Sequence, residues 1–153
     1  MIFRPIEVND AELVVRWRNA NRDCFFDNKV ITTDTHLEFM RNRKLHNLIW
    51  IAEVDGEPIG MVGLKVDVEQ HIAEYRSVVV DENYRGRGYG REIQQAALDY
   101  AFKILRVKQV WVDYLASNEI GSRLYADWIL EGVDLPGHTS DRGAVCHAIW
   151  RNA

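Results

Sequence analysis

The sequence predicts an α/β domain built on a mixed sheet, mostly antiparallel with one parallel pair. Three observations lead there. The turn Asp55-Gly56 separates two apolar runs and pairs them as an antiparallel hairpin. A β-branched run, Ser77-Val78-Val79-Val80, precedes a glycine-rich loop and a long amphipathic helix. The alternating run Gln109 to Tyr114 follows that helix, and a helical crossover makes the two flanking strands parallel.

Taken in order, Ile2 to Ile6 is a short first strand, with Pro5 tolerable near an edge or strand end. Asn9-Asp10-Ala11-Glu12 has the pattern of a capping box, so a helix follows, with Leu13, Val14 and Trp17 on one face. Arg22 to Thr33 mixes Cys24, Phe25 and Phe26 with polar residues and is expected to form a loop over a substrate pocket. A second helix opens at Thr35-His36-Leu37-Glu38 and buries Leu37, Phe39, Met40 and Leu45. Leu48–Val54 and Pro58–Val66 form the hairpin, and His71–Arg76 leads into the valine run. After Gly90 the positions Ile93, Ala96, Ala97, Tyr100, Ala101 and Ile104 keep helical spacing. Ser117 or Asn118 caps a short helix carrying Ile120, Leu124, Tyr125 and Trp128, and residues 133 to 151 close the sheet as a hairpin.

Composition narrows the function. A chain of 153 residues is expected to be one domain, 1–153, burying about 68–70% of its unfolded surface. No run approaches the roughly 20 apolar residues of a membrane span, and Met1-Ile2-Phe3-Arg4-Pro5 lacks the features of a signal peptide, so a cytoplasmic protein without a membrane partner is expected. Cys24 and Cys146 are too few for a disulfide framework or a zinc site, and the 5 histidines show no ligand spacing, so no metal is expected. A net charge of -4 disfavours a nucleic-acid partner. The basic charge is local, in Arg85, Arg87 and Arg91, which suits a small polyanion.

Those arginines frame the loop Arg85-Gly86-Arg87-Gly88-Tyr89-Gly90. Glycines permit positive φ and a close ligand approach, and unpaired N–H groups at a helix N-terminus attract anions. The spacing differs from a P-loop, which needs Gly-Lys-Ser/Thr, and from the G-x-G-x-x-G of dinucleotide folds. By itself it admits both a phosphate loop and a tight turn that merely has glycines.

The Arg-x-x-Gly-x-Gly pattern after a strand ending Val80-Asp81 resembles the coenzyme A pyrophosphate loop of the GCN5-related N-acetyltransferases, the GNAT family. A second block, Asn118 with Tyr125 seven residues on, is also similar to that family, and the element order matches over nearly the full length. The resemblance implies the GNAT acyl-CoA N-acyltransferase fold, its parallel strands splayed to hold coenzyme A, and an enzyme that moves acetyl from acetyl-CoA to a primary amine by direct attack. It implies that the main chain of Val78, Val79 and Val80 pairs with pantetheine and that the loop from Arg85 through Arg91, Tyr89 included, binds the pyrophosphate. It assigns Asn118 to the pantetheine arm, Tyr125 to protonating the thiolate and Glu74 to accepting the amine proton through water. By spacing alone Tyr125 is equally a core aromatic beside Trp128, and Glu74 a strand carboxylate paired with Arg76; His138 and His147 are rival bases, and Trp17, Phe25, Phe26 and Trp50 rival pocket or core residues. Val15-Arg16-Trp17-Arg18-Asn19 is similar to the branch of ribosomal-protein N-terminal and nucleotide-amino-sugar acetyltransferases, which implies a small-molecule amino-sugar acceptor, with a protein N-terminus as the alternative. A non-catalytic acyl-CoA-binding module is a further alternative, and the family resemblance includes homodimers through edge strands. The segment Asp127–Gly132 departs from the Gly-Phe pair that many relatives carry before Glu-Gly.

Overall fold

The structure, a computed structural model, describes residues 1–152, with Ser77 by its backbone alone. Seven strands form one sheet in the order β1-β2-β3-β4-β5-β7-β6. They are β1 (Ile2–Pro5), β2 (Asn47–Val54), β3 (Glu57–Asp67), β4 (Ile72–Val80), β5 (Gln109–Leu115), β6 (Ile129–Val133) and β7 (Val145–Arg151). Every neighbouring pair is antiparallel except β4 and β5. Helices α1 (Ala11–Ala20) and α2 (Thr33–Asn42) precede β2, α3 (Tyr89–Asp99) crosses from β4 to β5, and α4 (Glu119–Leu124) follows β5. Among the described residues, no helix is long and apolar enough to cross a membrane.

The sheet buries both faces. Under α3 lies a cluster containing Ile59, Leu64, Tyr75, Ile93, Ala97, Leu98, Val110 and Trp128, while Val14 and Trp17 of α1 cover Ile49, Ile51, Met61 and Val79 on the other side. Each such aliphatic side chain removed from water contributes about 1.5–3 kcal/mol, which is what holds the helices to the strands.

Two irregularities in β4 make room for a site. The parallel pairing with β5 lasts only three rungs, Ile72↔Gln109, Ala73↔Val110 and Glu74↔Trp111. Beyond them the strands part, β5 continuing with β7 to Leu115↔Val145 and β4 with β3 to Gly60↔Val80. In the β3–β4 pair, Arg76 faces Gly63 and Val79 faces Met61, so residues 77 and 78 oppose Val62 alone. That bulge flips the side-chain alternation and adds local twist. Ala73 and Tyr75, then Val78 and Val80, therefore belong to the α3 side, whereas Val79 joins the α1 side. Gly60 lets the strands close here, because a Cβ on it would lie 2.5 Å from the Val79 carbonyl oxygen.

Several local expectations are corrected. Helix α1 is not capped by Asn9: a 3-10 turn, Val8–Asp10, precedes it, and the reciprocal capping bonds join Glu7 and Asp10. Asp10 is also claimed by Arg4, whose two terminal nitrogens donate to it at 2.8 Å each. Helix α2 begins two residues early because Thr32 and Thr35 cap it reciprocally. Its buried residue is His36, while Phe39 and Leu45 are exposed. A π-helical turn over Tyr100–Ile104 extends α3 and shifts its phase, burying Leu98 and Ala101 and leaving Tyr100 and Ile104 outside. The closing hairpin starts at Ile129, earlier than expected.

The Arg4–Asp10 pair ties β1 to the start of α1 and makes stability depend on pH. The Arg4 hydrogen bonds hold the Asp10 carboxyl below its ordinary range. Its folded pKa is depressed, so the stabilisation is present above the unfolded value near 4 and is lost as pH falls through the folded one. Asp10→Asn is expected to cost about 1.5–3 kcal/mol at neutral pH. Urea melts should show that difference shrinking below about pH 4.

Candidate active site

The loop after β4 is held from below. Asp81, buried at the strand's end, accepts from Trp17 Nε1 at 2.8 Å and from the Asn83 amide at 2.9 Å. Burial opposes its charge, but these bonds and nearby Arg16 keep its carboxyl below the ordinary range. Trp17 is thus a core residue anchoring the loop, not a pocket wall, and Trp50 likewise packs against Tyr100. From this anchor the chain makes the 3-10 turn Glu82–Tyr84 and enters the glycines.

Gly86 and Gly88 adopt φ of 76° and 84°, and Gly88 is the residue before the first turn of α3. No heavy atom lies within 4 Å of where their Cβ atoms would stand. Glycine is therefore demanded by conformation, and the space beside it is open. Among the described residues the amides of Gly86 through Arg91 donate to no protein acceptor, the first helical bond being Glu92 N–H to Gly88 O at 3.2 Å. Unpaired amides, open space and the positive end of an 11-residue helix fit the phosphates of coenzyme A. The arginines add charge from the rim: Arg85 reaches Val80 O at 3.3 Å and Asn21, Arg87 lies over Tyr84, and Arg91 reaches Asp127 at 3.5 Å.

The loop opens on a cleft of about 390 Å³ between the end of β4 and α4. Val78, Val79 and Val80 line it, with Tyr84, Tyr89 and Gly90 at one end and Asn118, Leu124 and Tyr125 across it. Alternate residues of an antiparallel strand turn their polar groups to opposite sides. Asp81 N–H donates to Ile59 O on the β3 side at 2.7 Å, so Val80 turns its N–H and C=O to the cleft and Val79 turns its own to β3. The expected pairing of all three valines is corrected on that ground: the main chain of Val79 is not free for a ligand.

Asn118 caps α4 through its side-chain oxygen, which accepts from Gly121 N–H at 2.9 Å. Its NH₂ faces no protein acceptor and is left as a donor at the cleft wall. Tyr125 ends that helix, its ring wedged against Tyr114, Tyr75 and Trp128 at centroid distances of 5.0, 6.0 and 5.4 Å. Tyr125 is thus packed in the core and also lines the cleft. The ring is buried, yet among the described residues the hydroxyl has no protein partner and is not sealed off. Burial pushes the phenol well above its ordinary range, so it stays protonated and able to donate.

Glu74 stands elsewhere. It occupies the last rung before the strands part, facing a second cavity of about 520 Å³ with Trp111, Lys65, Asp67 and Glu69. It pairs with Arg76 at 3.6 Å, and burial raises its carboxyl above the ordinary range. His147 of β7 and His138, in the turn between β6 and β7, meet on one carboxylate, that of Asp113, which the sequence did not single out. Asn21, Cys24 and Phe25 also line the cleft, brought there by the loop after α1. Burial pushes the Cys24 thiol up, away from nucleophilic reactivity.

The model of the acetyltransferase (GNAT) family matches residues 14–127, most of the chain. The chain belongs to the GNAT family. Two curated relatives show how far the likeness reaches. N-acetylaspartate synthetase of Xenopus tropicalis is 33% identical over 52 residues, 34% of this chain and 19% of that protein. Spermidine N(1)-acetyltransferase of Escherichia coli is 23% identical over 118 residues, 76% of this chain and 60% of that protein. The chain thus spans less than two thirds of either relative. Among solved structures, spermidine N-acetyltransferase from Vibrio cholerae in complex with CoA and spermine aligns with a TM-score of 0.83 at 19% identity, over 98% of this chain and 94% of that one. That likeness is one of fold, and the splayed β4–β5 pair belongs to the GNAT architecture in this chain.

Proposed function

We propose that this chain, as one domain, is an acetyl-CoA-dependent N-acetyltransferase acting on a primary amine of a polyamine. The observation that carries the reading is the cleft itself: unpaired loop amides at one end, the Val80 main chain along it and the Tyr125 hydroxyl across it. Spermidine acetyltransferases among the relatives, and the second cavity, where Asp67, Glu69, Glu74 and Trp111 stand with Lys65, support a polycationic acceptor over the amino sugar that residues 15–19 imply.

The donor supplies a thioester whose acyl carbon gains a C–N bond to the amine and loses its C–S bond. The amine must surrender one proton and the departing thiolate must gain one. The residues divide that work. The amides of Gly86 through Arg91 bind the phosphates, the NH₂ of Asn118 holds the arm, and the Val80 N–H polarises the acyl oxygen. Tyr125 donates the proton to sulfur, and Glu74, at the point where the strands part, takes the amine proton through water. Cys24 forms no acyl intermediate, since burial keeps it a thiol.

Free thiol measured on mixing the protein with acetyl-CoA and spermidine, a nucleotide-linked amino sugar or a short peptide tests this. Release is expected to be fastest with spermidine. Coenzyme A binding by calorimetry without release for any amine would instead make the chain a sensor, and tighter binding of adenosine triphosphate would remove the coenzyme A reading altogether.

A further inference from the structure

The cluster left unused by this reading is Asp113, His138 and His147. Asp113 and His147 are register partners on β5 and β7, and His138 is brought against them by the turn whose amide donates to Leu135 O at 2.8 Å. Asp113 Oδ2 accepts from His138 Nδ1 at 2.7 Å, and Oδ1 from His147 Nδ1 at 2.6 Å. The imidazole centroids are 4.2 Å apart, and Trp111 packs against both at 5.2 and 5.4 Å. Two nitrogens and one carboxylate therefore converge from two strands and an anchored turn.

We infer that these three side chains form a binding site for one divalent transition-metal ion, with Nδ1 of each histidine and one Asp113 oxygen as ligands. All three ligand atoms lie within 4.8 Å of one another. Ligands of a tetrahedral zinc ion at 2.0–2.1 Å stand about 3.3 Å apart, so the separations between the three ligand atoms change by at most about 1.5 Å to admit it. Each neutral imidazole shifts its proton from Nδ1 to Nε2 as the ion enters. Among the described residues neither Nε2 has a protein partner or is sealed from solvent, so the shifted proton meets water and none is lost. The ion adds two positive charges beside Asp113, near Glu74, whose own charge Arg76 and Lys65 temper. Imidazole donors select zinc, cobalt or nickel over magnesium. Three protein ligands leave a fourth position open, as in zinc sites that bind water.

The inference is independent of acetyl transfer, and its test reads the ion directly. Titration calorimetry of the full chain with Zn²⁺ in chelator-free buffer is expected to give one ion per chain and no binding of Mg²⁺. Co²⁺ is expected to give a visible absorption spectrum without a thiolate charge-transfer band, which separates this site from Cys24 and Cys146. His138→Asn and Asp113→Asn should each weaken Zn²⁺ by more than about tenfold, with the circular dichroism of the fold retained. Absence of Zn²⁺ binding up to the millimolar range, or binding undiminished in both variants, overturns the site and leaves a hydrogen-bonded histidine pair only.

Discussion

Tyr125→Phe is expected to lower kcat for thiol release by roughly 10²–10⁴-fold while leaving the Kd for coenzyme A unchanged. The variant keeps the ring, and with it the contacts to Tyr75, Tyr114 and Trp128 that hold the end of α4. It removes only a hydroxyl with no partner among the described residues, so thermal stability should barely move. Because burial raises this phenol's pKa, it keeps its proton through the alkaline range where an exposed tyrosine ionises near 10. The wild-type rate is accordingly not expected to fall at high pH on Tyr125's account. Release within about threefold of wild type in the phenylalanine variant would remove Tyr125 as the acid, since donation to a leaving group contributes at least about 10².

Gly88→Val is expected to weaken coenzyme A by roughly 10²-fold or more, the equivalent of losing one or two hydrogen bonds to a charged group at about 1.5–3 kcal/mol each. The reason is conformational. At φ of 84° a β-branched residue is strained, and relief of the strain turns the following amides away from their common target. The new side chain would also enter the open space beside the loop, where nothing in the protein lies within 4 Å of a Cβ. That same emptiness means the fold meets no clash, so the expected stability cost is confined to strain of about 1–2 kcal/mol. Calorimetry and a thermal melt on the same sample distinguish the two effects. Unchanged affinity would show that the amides of Gly86 through Arg91 do not grip the phosphates.

The loop and the Asn118–Tyr125 block were legible because each is a local device: glycines at positive φ before a helix, and a cap with a phenol one helix later. The element order was legible for a related reason, since hairpin turns and crossover lengths restrict how strands pair. The amphipathic stripe of α3 was only half legible, because a π-helical turn at Tyr100 changes the period on which such readings rest. Helical spacing marks Trp17 as a core residue, but nothing local to Val15–Asn19 shows that its indole nitrogen donates to Asp81, 64 positions away.

By itself, then, the order of residues determined the fold class, the glycine turn before α3 and the phenol at the end of α4, because each depends on spacing within one or two elements. Tertiary structure alone decided the rest. It parted β4 from β5 after Glu74, turned Val80 but not Val79 to the cleft, and set Glu74 in a separate cavity. It also gathered Asp113, His138 and His147 into one cluster from positions up to 34 apart. Strand register and a bulge govern these placements, and both are set by packing against distant partners that no local pattern records.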